Sequence, residues 1–134
     1  MRVAIAAALL LASPMAIADA QFNYRMECQG CHAADGGGSV ASVPSLTNHV
    51  AEFLTVAGGR EFLAQVPGAA QAPLDDAALA DVLNWILREF GPADLASRYP
   101  AYSADEVRKL RRAPLTNVAA TRATLLKQIA ARHR

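Results

Sequence analysis

The chain has 134 residues, 53% of them hydrophobic, with 13 basic and 12 acidic side chains and a formal net charge of +1. That size and composition fit one globular domain and exclude a repeat array or a low-complexity protein, since alanine richness is the only bias. The near-balance hides a division. Residues 21–90 hold three arginines against eight acids, a net of −5, and residues 91–134 hold nine Lys or Arg against three acids, a net of +6.

Residues 1–20 read as a secretory signal peptide: Arg2 makes a positive start, Val3 to Leu11 are apolar, and Ala18-Asp19-Ala20 supplies small residues at a cleavage site. The mature chain is expected to begin at Gln21. The apolar run falls short of the ~20 residues of a membrane span, and no second one follows. A retained anchor is the alternative; otherwise the protein is exported, to a bacterial periplasm, with no transmembrane span after cleavage.

Phe22 to Gln29 reads as a short helix running into Cys28-Gln29-Gly30-Cys31-His32, which holds the only two cysteines. Cys-x-x-Cys-His is the attachment spacing of a c-type haem. Two thiols on one helical turn form thioethers with the two vinyl groups of one haem, and the next residue, His32, is placed to bind the iron. A disulfide is the plain alternative in an oxidising compartment, but so short a loop suits a redox disulfide, and no strand pattern supplies its βαβ context. Zinc would need more ligands than His32, His49 and His133 add.

Gly36-Gly37-Gly38 marks a loop. Ala51 to Thr55 and Glu61 to Gln65 are short helical candidates beside Gly58-Gly59, and Val66 to Pro73, with two prolines and a glycine, reads as a loop. Leu74 to Phe90 is the strongest helix: Asp75 serves as N-cap, Leu79, Val82, Leu83, Ile86 and Leu87 form an apolar stripe, and Gly91-Pro92 stops it. Arg98 and Tyr99 before Pro100 read as linker. A further helix starts at Ser103, with Glu106 completing a capping box, and a last one near Thr116 or Asn117 runs toward Ala131. The fold class is all-α: residues 21–91 form a haem domain, and residues 92–134 a basic helical extension. Its run Arg108, Lys109, Arg111 and Arg112 reads either as a solvated face whose Val107 and Leu110 pack on the haem domain, or as a docking patch for an acidic redox partner. Nucleic acid is not expected as a partner of an exported protein.

Residues 21–90 resemble a small mono-haem class I cytochrome c. Tyr24 stands four residues before Cys28, where that family has an aromatic; Pro44 follows His32 by twelve, and Leu46 follows Pro44 by two. The resemblance implies a cytochrome c-like fold around one covalent haem. It gives the Pro44 carbonyl the task of orienting His32 and places Leu46 against the haem. Holding one ring nitrogen aims the other at iron. It also implies a last core helix crossing the first, which Leu74 to Phe90 with Trp85 supplies.

One departure stands out. The family takes its second axial ligand from a methionine in the loop before that helix, and Val66 to Pro73 has no sulfur. Met1 and Met15 precede the cleavage site. Met26 is tethered beside the motif, where packing in the first helix is its expected role. The sixth position is therefore open or water-bound, or takes Gln71, or His49, whose imidazole is a good iron ligand but whose position opposes it. His133 is expected to be exposed. The reading is a non-enzymatic periplasmic carrier of single electrons between a periplasmic dehydrogenase and a respiratory-chain component. The alternatives are an open-coordination haem protein for a small gas or peroxide, and a cytochrome subunit of a larger oxidoreductase.

Overall fold

The apolar stripe before Gly91 sets the centre of the fold. In the computed structural model, which describes residues 15–39 and 43–134, Asp76–Phe90 is a 15-residue helix whose Leu79, Val82, Leu83, Ile86 and Leu87 are all buried. Asp75 caps it, its carboxylate accepting from Ala78 N at 2.8 Å. Around it stand α1 (Met15–Glu27), α2 (Gln29–His32), a 3-10 helix (Val50–Thr55), α3 (Gly59–Gln65) and α4 (Pro67–Ala70); the central helix is α5, followed by α6 (Ala93–Ala96), α7 (Ala104–Leu110) and α8 (Val118–Arg132). The described residues form no strand, only one isolated bridge between Ser39 and Val43. The expected all-α, cytochrome c-like architecture is the one observed.

α1 crosses α5 through aromatic rings. Tyr24 is 1% exposed, and its ring centroid lies 5.0 Å from Trp85 and 5.2 Å from Phe90. Such pairs contribute ~0.5–1.5 kcal/mol each beyond the area they bury. α1 starts earlier than expected: it runs through Ala18-Asp19-Ala20, and Ala20 is itself in the core at 1% exposure. Processing after Ala20 would begin the chain inside this helix; residues 1–14 of the expected leader lie outside the described residues. Met26 corrects another expectation, for it is 63% exposed and packs in no core.

α1 ends at Glu27, and α2 is a separate turn after Cys28. The glycine loop then passes beneath α5. Gly36 sits at φ +71°, and a Cβ there would lie 2.8 Å from the Phe90 ring, so glycine is required for both conformation and space. The 66–73 segment is less irregular than expected. Pro67 starts one helical turn, α4, because proline at a first helical position loses no hydrogen bond. The expected linker at Arg98 and Tyr99 is likewise more ordered: it follows the short α6, and Tyr99 packs against the core.

The extension is part of this core. Tyr102 and Val107 are buried in the same cluster as α5, so the apolar side of α7 packs as the solvated-face reading expected. Half of the capping box forms: Ser103 Oγ accepts from Glu106 N at 3.2 Å. The Glu106 carboxylate turns instead to Arg60, accepting from Nε at 2.5 Å and Nη2 at 2.7 Å. That guanidinium lies 4.0 Å over the Tyr102 ring, and the Tyr102 hydroxyl donates to the Arg60 carbonyl at 2.6 Å. A two-point ion pair plus a ring contact outweighs a return to Ser103 N, which gains one exposed bond. α8 closes a second apolar cluster, burying Leu125 and Ile129 against Phe53 and Phe62.

This pair carries a pH signature. Arg60 holds the Glu106 carboxyl below its ordinary value of 4.5, chiefly through the hydrogen bonds and against a smaller cost of burial. A carboxylate with a depressed folded pKa contributes stability that is present above the unfolded pKa and lost as pH falls through the folded one. The wild type's resistance to urea should therefore weaken below about pH 4.5. Glu106→Gln should be less stable at pH 7 and show a shallower acid loss; an identical pH profile in the two would show that the pair contributes nothing.

Candidate functional site

Local backbone bonds place the Cys-x-x-Cys-His group. Cys28 N donates to Tyr24 O at 2.9 Å, and Cys31 N and His32 N both reach Cys28 O, at 3.1 and 3.0 Å. The chain then breaks from helical geometry at Ala33, which adopts φ +60°. A positive φ costs an alanine something, and here the Tyr24 hydroxyl holds the turn by donating to Ala33 O at 2.7 Å. Tyr24 thus braces the residue after His32 while its ring fills the α1–α5 crossing. The loop beyond is tied back on itself: Gly38 N donates to His32 O at 3.1 Å, and Leu46 N to Gly36 O at 2.7 Å. These bonds carry Pro44 and Leu46 to the His32 side.

The result is one open cleft of about 870 Å³, within the range of cavities that bind cofactors. Cys28, Cys31 and His32 line one part of it, with Pro44 and Leu46 beside them. α5 supplies Leu79, Val82, Leu83 and Ile86. α3 and the turn after it add Leu63, Val66 and Ala69, and α8 adds Val118, Ala119, Arg122 and Leu126. Both thiols are free. Burial, helped by the nearby Glu27 and Cys31, pushes the Cys28 thiol up to about 11.

His32 is held below its usual pKa by burial, with the Pro44 carbonyl opposing that shift. Nδ1 itself is fully buried and makes no hydrogen bond of good geometry to Pro44 or to any other described group. An imidazole that burial disfavours in its charged form, with Nδ1 beside the Pro44 carbonyl and two thiols next to it on an apolar cleft, fits a covalently attached, iron-centred macrocycle. Such a group would supply the redox centre. Cys28 and Cys31 could hold its edge, His32 its iron, and the apolar walls its ring.

The two side chains considered for the opposite face lie outside this cleft. His49 is 64% exposed and its Nδ1 pairs with Glu52 at 3.4 Å; the 3-10 helix that follows it points the imidazole at its own acidic first turn. Gln71 caps α4 and is exposed, while its neighbours Ala69 and Ala72 face inward. His133 is exposed, as expected, with Nε2 3.8 Å from Glu52.

Two arginines escape a reading of the sequence. Arg111, part of the charge run, is only 16% exposed. It donates to Ala70 O at 3.1 Å, Ala72 O at 2.7 Å and Leu74 O at 2.7 Å, and reaches Asp76 at 3.2 Å. It therefore clamps the segment that leads from α4 into α5. No local signal marks it, because its partners lie 35 to 41 residues away. Arg122 is legible in principle: Val118, Arg122 and Leu126 are spaced four apart, which puts the arginine on the apolar face of α8.

No protein-family model matches the chain. Curated relatives do. One cytochrome c-552 of Thermus thermophilus is 35% identical over 128 residues, covering 81% of this chain and 86% of that protein. A second Thermus thermophilus cytochrome c-552 is 35% identical over 108 residues, covering 67% of this chain and 82% of its own length. With that likeness spanning most of both chains, and with an all-α fold enclosing a thiol- and histidine-lined cleft, the chain belongs to the c-type cytochromes, electron carriers whose cofactor is covalently bound haem c.

Proposed function

We propose that this chain is a periplasmic mono-haem carrier that passes single electrons from a dehydrogenase to a component of the respiratory chain. Cys28 and Cys31 make the thioethers, His32 is the axial iron ligand, and Pro44 orients its ring. The observation that carries this reading is the convergence on one apolar cleft of two free thiols and an imidazole whose buried Nδ1 sits by the Pro44 carbonyl, which leaves Nε2 for iron. The protein's share of the work is to attach, orient and partly bury the haem, which sets its potential. Export is supported by the leader-like residues 1–20, and no helix among the described residues is long and apolar enough to cross a membrane. N-terminal sequencing of protein isolated from cells should start at Gln21.

One observation favours a second reading. Apart from His32, the described residues lining the cleft include no histidine or methionine, which leaves the sixth position to water or an added ligand. Optical and EPR spectra with carbon monoxide titration separate the cases. The ferric protein should lack the red-end band of iron–methionine ligation, and the ferrous form should take up carbon monoxide, with His49→Ala changing neither. A potentiometric titration that follows one reversible electron with no peroxide turnover supports the carrier. Rapid peroxide consumption would shift the assignment to the open-site reading, and a low-spin bis-histidine signal lost in His49→Ala would overturn the open site altogether.

A further inference from the structure

A haem brings two demands to a cleft: an apolar ring to bury and two propionate carboxylates to neutralise. The described walls meet the first demand amply. For the second, the cationic side chains must be followed one by one. Arg60 is committed to Glu106, Arg98 to Asp94, and Arg108 and Arg111 to Asp76. Arg25, Arg88, Lys109, Arg112, Lys127, Arg132 and Arg134 are exposed and line no part of the cleft. Arg122 differs from all of them. It is half-buried, it lines the cleft, and it forms neither an ion pair nor a side-chain hydrogen bond with any described residue.

Holding a guanidinium partly out of water on an apolar helix face is unfavourable unless an anion meets it. A carboxylate matches the guanidinium fork in two bonds. The first turn of α8 supports the same placement. Val118 and Ala119 line the cleft too, and the opening N–H groups of a helix have no partner within it. The Asn117 side chain accepts from Ala120 N only, so the start of this 15-residue helix adds positive potential beside Arg122. The one acidic lining side chain, Glu27, belongs to the Cys28 end of α1 and would repel a carboxylate there.

We propose that Arg122, with the first turn of α8, receives a propionate of the haem, so that the C-terminal extension is part of the cofactor site and helps set the haem potential. This rests on the haem assignment above. Bound there, the guanidinium would offset the carboxylate charge that otherwise favours ferric iron.

The test uses full-length haem-loaded protein. Arg122→Gln should lower the midpoint potential, shifting the ferric–ferrous equilibrium about three- to tenfold, about 28–59 mV for one electron. Arg122→Lys should recover most of that shift, and Lys127→Gln, on the exposed side of the same helix, should leave the potential alone. A structural role for Arg122 would not move a second readout, the redox infrared difference band of 13C-labelled propionate, which should shift in Arg122→Gln. If Arg122→Gln fails to mature, Arg122→Lys carries the test, since exchanging a fork for a point charge must still move the propionate band. An unchanged band in the variant that matures, or an unchanged potential in Arg122→Gln, overturns the proposal. Neither readout depends on which proteins donate or accept the electrons, so failure here leaves the carrier assignment standing.

Discussion

Cys28→Ala combined with Cys31→Ala is expected to yield a chain from which all haem can be extracted by acid–acetone, whereas the wild type should keep its haem after denaturation. The physical ground is that both thiols open onto the cleft and neither is spent in a disulfide. Mass spectrometry supplies the magnitude: wild-type protein should weigh the processed chain plus one haem, and the double variant the chain alone. Single variants should retain one thioether and an intermediate, weakly populated holoprotein. His32→Ala should leave both thioether positions but lose the strong iron ligand, with a grossly altered Soret band. A wild-type mass equal to a plain disulfide form would remove the whole haem assignment, and a normal spectrum in His32→Ala would assign the axial position to another residue.

Arg111→Met should be the most destabilising single change in the extension. The residue is 16% exposed, and its loss strips a charged donor from three backbone carbonyls and Asp76 at once. Hydrogen bonds to charged groups are worth ~1.5–3 kcal/mol each, but they do not add, and carbonyls near the surface recover some water. A net loss of about 2–4 kcal/mol is therefore expected, read as a lower urea midpoint at unchanged slope. Arg112→Met, one residue on and exposed, should stay within about 0.5 kcal/mol. Because the clamp holds the end of α4 and the segment leading into α5, where Ala69 and Ala72 line the cleft, Arg111→Met should also speed carbon monoxide uptake by the ferrous protein. Equal midpoints for the two variants would show that the clamp is ornamental.

Sequence and structure part company at identifiable places. The last core helix is legible because its signals are local: a capping aspartate, an apolar stripe at helical spacing and a Gly-Pro stop all act within one element. The Cys-x-x-Cys-His motif is legible for the same reason, since two thiols and an imidazole on consecutive turns need no distant partner to be recognised. α4 is not, because Pro67 at a first helical position reads in one dimension as a breaker. Composition sends Met26 to packing, yet the face of α1 that meets α5 is decided by Tyr24 and Ala20.

By itself, then, the sequence determined the helical class, the Cys-x-x-Cys-His pentapeptide, and the want of a methionine in the segment before α5, all of which are properties of adjacent residues. The tertiary structure decided what the charges do. The same run of basic side chains divides into an ion-paired Arg108, a half-buried clamp at Arg111 and exposed Lys109 and Arg112, and His49 and Gln71 are turned away from the cleft. Those outcomes depend on which carbonyls, carboxylates and apolar faces arrive from residues tens of positions away, and a charge is buried only where such partners compensate its lost hydration.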